Sequence, residues 1–216
     1  MADEYLTEQE QIEQLKNWVK QYGLTILAGI LMAAAIVTSW NYWERYQNKV
    51  LIHASNIYDE MLALRAQNDG NGTVIQANKL LSHYPKTPYA HMAAFILARH
   101  AVENKDYPEA MKHLNWVVDH SHSSAIREIA KVRIARISIA QQKPEIALDH
   151  LKKMENKSFN GLVDEIKGDA YLMMKDIPKA KESYQLALNA LPKEDVPRRP
   201  ILQMKLDNLA TPDAVL

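Results

Sequence analysis

The chain has 216 residues, with 26 basic and 26 acidic side chains, so its formal charge is zero. No cationic surplus is available to neutralise a phosphate backbone, which excludes a nucleic-acid partner on electrostatic grounds. There is no cysteine, which excludes disulfides, thiolate catalysis and Cys-ligated zinc. Glycine is scarce and the chain is rich in Ala, Leu and charged residues, a composition that predicts an all-α fold. In chain order, residues 1–23 form a short acidic tail in which Leu6, Ile12, Leu15, Val19 and Tyr22 make one apolar stripe. Residues 24–43, LTILAGILMAAAIVTSWNYW, then run without a charge. As a helix this segment rises about 30 Å, the thickness of a bilayer's hydrocarbon core.

Tyr22 before this segment and Trp40, Tyr42 and Trp43 at its end are expected to sit at the two membrane interfaces. Gly29 and Ala33 are four apart, the spacing of a close helix–helix contact inside a membrane. A buried core helix of this length would carry a polar face, which the segment lacks. Ala33-Ala34-Ala35 fits a signal-peptidase site, but the preceding tail is acidic and the apolar run continues through Ile36 and Val37. A single transmembrane anchor is the reading that fits both ends. Lys16 and Lys20 on one side balance Arg45 and Lys49 on the other, so flanking charge leaves the orientation open.

Residues 44–216 are long enough for one folded domain. A helix is predicted over 44–67, continuing the anchor, then a turn over 68–72, a short helix over 73–83 and a loop over 84–88. Beyond it the chain repeats itself. DYPEA (106–110), KPEIA (143–147) and DIPKA (176–180) each place a proline at a helix start and an alanine just after it. Ala110, Ala147 and Ala180 are spaced by 37 and 33 residues, and twelve residues before each lies a small residue, Ala98, Ala135 or Gly168. Small residues at such positions let paired helices cross closely.

This is similar to the register of the tetratricopeptide repeat. The unit 161–194 fits best, through Gly168, Tyr171, Ala180, Tyr184, Ala187 and Pro192, while 91–124 and 128–160 are more divergent. The segment 44–85 is expected to be a degenerate fourth hairpin, and Ile201, Leu202, Met204, Leu206 and Leu209 a capping helix. The expected fold is therefore all-α: one N-terminal transmembrane helix, then an α-solenoid of about four hairpins and a C-terminal cap.

Taken together, the acidic tail, the WNYW border, VRIARISIA (132–140), IKGDAYLMMKD (166–176) and QMKLDNL (203–209) resemble the YfgM family nearly end to end. That family comprises ancillary subunits of the SecYEG translocon in the bacterial inner membrane. The resemblance implies a cytoplasmic N-terminus and a periplasmic repeat domain. It implies as partners the translocon, a periplasmic chaperone of the PpiD type and nascent or unfolded exported chains, and it implies no enzymatic activity. An envelope-assembly or secretion-system scaffold and a homodimer burying its apolar faces are the competing readings.

No phosphate-binding loop, G-x-S-x-G or H-E-x-x-H occurs, and neither cofactor nor metal is expected. Of the eight histidines, His113, His120 and His122 lie closest together, but no ligand set of familiar spacing completes them, and they are expected on the solvated surface. Glu109 and His113 read as a surface pair. By resemblance, the first helix of each hairpin lines a groove. Its inward positions here are Met92, Phe95, Arg99 and Val102; then Ile129, Val132, Arg136 and Ile139; then Leu162, Glu165, Asp169 and Leu172. An exposed apolar stripe of this kind marks a binding surface for a peptide, with Arg99, Arg136 and Asp169 setting register.

Overall fold

A computed structural model describes residues 8–154, 157–191 and 197–209. All its regular structure is helical: α1 (Glu8–Ala66), α2 (Gly70–His83), α3 (Pro88–Glu103), α4 (Tyr107–His120), α5 (Ser124–Ala140), α6 (Pro144–Lys152), α7 (Asn160–Met173), α8 (Ile177–Ala190) and α9 (Arg199–Asn208), with a 3-10 turn at Lys157–Phe159. Leu6 and Pro192, on which two sequence expectations rest, lie outside the described residues. The chain divides into two units, with the boundary between His53 and Ala54.

The first unit holds the one stretch among the described residues that is long and apolar enough to cross a membrane, and none of its best window is buried. Its large apolar side chains are open, among them Leu24, Ile30, Leu31 and Ile36. Thr38, a polar interruption, turns its hydroxyl back to the Ala34 carbonyl at 2.8 Å. This satisfies the hydroxyl within its own helix.

The second unit is a stack of helical hairpins, and one backbone device sets its register. Asn68, Lys105, Gln142 and Lys175 each adopt a left-handed conformation, with φ of 59° or 60°. At each, the backbone N–H donates to the carbonyl three residues back, at 2.9 to 3.0 Å. The next N–H donates to the carbonyl five residues back, at 2.8 to 3.0 Å. These paired bonds close the end of a helix by the Schellman arrangement. The next helix starts at once. Asp69, Asp106 and Asp176 accept from the backbone N–H of Gly72, Glu109 and Lys179, which caps α2, α4 and α8. Lys143 occupies the same place before α6 and supplies no such bond.

Among the described residues four equivalent hairpins follow from these stops, and the first, made by residues 54–66 and α2, falls within the segment 44–85 expected as a degenerate unit. Its second helix begins at Gly70, within the predicted turn, because Asp69 supplies the cap. A Cβ on Gly72 would collide with the Asp69 carboxyl, so glycine is what lets that cap close.

The core is a chain of clusters rather than one centre. Met61 and Leu80 anchor the first, Ala98 with Ala110 and Leu114 the next, Ala135 with Ala147 and Ile166 the third, and Tyr184 with Leu202 the last. Ala110, Ala147 and Ala180 are fully buried, as the repeat register requires. Gly168 differs from its equivalents in what it admits: a Cβ there would strike the ring of Tyr184. Each helix buries its apolar side against its chain neighbours, the arrangement of an α-solenoid.

Candidate functional site

Counting back from the four stops aligns the first helix of each hairpin. Phe95, Val132 and Glu165 are equivalent, as are Arg99, Arg136 and Asp169, and Val102, Ile139 and Leu172. Arg65 is the equivalent of Val102 in the first hairpin. Met92, Arg99, Val102, Arg136 and Leu172 are exposed, and Phe95, Ile129, Ile139, Leu162, Glu165 and Asp169 are half-buried. Val132 departs from the expectation. It is 4% exposed and packs in a cluster with Val163 and Ile166 of α7. The close approach of α5 to α7 turns this position into core, so Val132 is not open to a ligand.

Two regions of contrasting charge share this face. Toward α3 and α5 it is basic. Arg99, Arg133 and Arg136 rim a notch of about 190 Å³ whose walls include Ala98, Val102, Leu114 and Ile137. The Arg133 guanidinium carbon sits 4.4 Å above the centre of the Phe95 ring, a cation–π contact that leaves its charge uncancelled. Burial, and then the neighbouring Arg136 and Arg99, push the Arg133 pKa down. Arg99 donates from Nε to Glu103 at 2.8 Å in an exposed pair. Among the described residues, neither Arg133 nor Arg136 has a carboxylate partner. A second recess, of about 250 Å³, lies beside the notch and is lined by Arg65, Thr73, Ile96 and the same Arg99.

Toward α7 the face is acidic and covered. Glu165 accepts from Arg198 at 3.1 Å and from Lys205 at 3.2 Å. Asp169 accepts from Lys205 and from the Tyr184 hydroxyl, both at 2.7 Å. Burial raises the Glu165 pKa, but Lys205 and Arg198 together outweigh it, and the carboxyl ends below its ordinary range. Burial, then the bond to Asp169, raises the Tyr184 phenol. Arg199 donates to the carbonyls of Leu188 and Leu191 and closes the end of α8, while Leu202 and Leu206 seal α9 against it. The terminal segment is a cap, as expected from sequence, and its cations also occupy the last part of the lining face.

The histidines are placed differently from expectation. His120 and His122 are exposed, but His113 is buried, with Nε2 3.1 Å from Glu109. His91 is also buried, its ring 5.8 Å from that of Trp116, on which His120 stacks at 4.4 Å. The His91 and Trp116 rings meet across α3 and α4. Among the described residues no group of three or more His, Asp or Glu side chains could hold a metal ion.

In the first unit Tyr22, Trp40, Tyr42 and Trp43 are all exposed. Trp40 and Trp43 pair at 6.1 Å, and Tyr22 pairs at 5.9 Å with Trp18, one turn earlier on α1. A Cβ added at Gly29 would meet nothing within 4 Å, so the Gly29 and Ala33 surface is open.

Comparison with known proteins adds a common identity. The model of the tetratricopeptide repeat-like domain family matches residues 16–211. A protein of Aggregatibacter actinomycetemcomitans named ancillary SecYEG translocon subunit is 28% identical over 94% of this chain and 98% of its own length. Proteins of the same name from Haemophilus influenzae and Escherichia coli are 26% and 23% identical, again over 98% of their lengths. The chain belongs to the tetratricopeptide repeat-like domain family and, within it, to the YfgM family.

Proposed function

We propose that this chain is a non-catalytic scaffold of the inner membrane, anchored beside the SecYEG translocon by residues 24–43. Its N-terminus is cytoplasmic and residues 44–216 work in the periplasm. There the face of α3, α5 and α7 engages a membrane-anchored chaperone of the PpiD type or an emerging chain. The observation that carries this reading is the similarity to proteins named as translocon subunits, which covers anchor and repeat domain alike and nearly their full length. The exposed apolar and basic side chains of the face support the binding role, and tethering would raise the local concentration enough for weak contacts to serve.

In-cell photo-crosslinking tests it, with probes at Gly29 in the anchor and at Phe95, Ile139 and Leu172 on the face. The expected result is capture of translocon subunits from Gly29, and of a periplasmic chaperone or nascent exported chains from the face. Capture of cytoplasmic proteins alone by the face probes would overturn both the orientation and the role.

A further inference from the structure

We propose that the notch between α3 and α5 binds an acidic segment of a partner protein, with carboxylates held by Arg99, Arg133 and Arg136 and one aliphatic side chain seated between them. This rests on the reading that the lining face binds protein, and it names the chemistry that the face selects. The three guanidinium groups rim a notch whose walls are Ala98, Val102, Leu114 and Ile137. Arg133 and Arg136 stand on one helix, three residues apart, with no acidic residue three or four positions from either. A basic surface made for solubility would carry such acids as neighbours. Like charges held together without a counter-charge weaken a fold, so the pairing of Arg133 with Arg136 is not explained by stability.

The same protein shows what neutralisation looks like. Arg198, at the start of α9, and Lys205 within it satisfy Glu165 and Asp169, while no carboxylate of the described chain does this for Arg133 or Arg136. The occupant must therefore bring the negative charge. Guanidinium groups suit carboxylates because they offer paired N–H donors, and an apolar pocket beside them adds a preference for a peptide side chain over a bare anion. A lipid headgroup would not use the apolar notch.

The test is fluorescence polarisation with the full chain in phosphatidylcholine nanodiscs. The probe is a labelled peptide, Gly-Ser-Asp-Glu-Leu-Asp-Glu-Ser-Gly, and the control replaces its acidic residues with lysine. Saturable binding of the acidic peptide alone is expected. Arg133→Glu and Arg136→Glu should each weaken it at least about tenfold, while Lys181→Glu on α8 leaves it unchanged. Arg136→Ala should weaken binding yet leave the melting temperature equal or higher, whereas a purely structural arginine would lower it. Absence of saturable binding to the unaltered chain, or equal binding by the reversal variants, overturns the proposal. Arginine-dependent binding to phosphatidylglycerol vesicles without peptide binding would also overturn it and assign the site to lipid. Because no translocon is present in this assay, its failure leaves the crosslinking result at Gly29 standing. Failure at Gly29 with peptide binding retained would overturn the translocon role alone.

Discussion

The two halves of the lining face differ in who supplies the counter-charge. At α7 the chain supplies it: Lys205 and Arg198 of its own C-terminal segment meet Glu165 and Asp169. At α3 and α5 no carboxylate of the described chain meets Arg133 or Arg136, and the notch between them stays open. The contrast teaches that a repeat architecture can carry one face with two fates. The last hairpin borrows a helix to complete itself, and the middle hairpins leave the same positions for something else.

The largest test of this contrast is Tyr184→Ala. Tyr184 is fully buried, fills the space that Gly168 leaves and holds Asp169. Its truncation should cost about 3–5 kcal/mol in urea unfolding and free α9, with binding at the arginine notch retained where the variant is folded. Lys205→Ala should cost less, about 1.5–3 kcal/mol, because it strips two part-buried carboxylates of one partner. Hydrogen exchange should then accelerate over 199–208 and not over 88–103.

Acid separates the halves more gently. His91 and His113 are held below their ordinary 6.5, chiefly by burial. Lowered folded-state values mean that the neutral rings favour the fold. Their contribution is complete above pH 6.5 and is lost as pH falls through the lower folded values. The Glu165 contribution is complete above about 4.5 and is lost only below that. Thermal melts stepped downward from neutral pH should therefore weaken the α3–α4 hairpin before the Glu165 end, and His91→Asn should reduce that upper step. Smallest of all, Arg99→Ala breaks only the exposed pair with Glu103. It should change stability by less than about 0.5 kcal/mol while weakening the acidic peptide.

Much of this was legible in the sequence. Proline and alanine in fixed order at 106–110, 143–147 and 176–180 announced the hairpins, because only small residues fit the crossings. The charge-free run and its aromatic borders marked the apolar stretch of α1. Val132 was misjudged because helical periodicity assigns a face and does not say which neighbour covers it. The covered acidic half was hidden for another reason: Arg198 and Lys205 reach Glu165 across 33 and 40 residues, and no local pattern encodes that pairing. Arg133 was missed although its signal was present. VRIARISIA places two arginines in an apolar run with no acid in helical reach, and that isolation was the clue.

The left-handed stops have a consequence for engineering. None of Asn68, Lys105, Gln142 and Lys175 is glycine, so each carries a side chain in a conformation that L-residues resist. Replacing Lys105, Gln142 and Lys175 by glycine should relieve about 0.5–1 kcal/mol apiece, measured as summed gains in denaturation midpoint. Because the three sit in different hairpins, the gains should be additive. The array thus holds reserve stability at helix ends that contribute no side chain to the notch. That reserve would let the arginine notch be redesigned for other ligands without first weakening the scaffold that presents it.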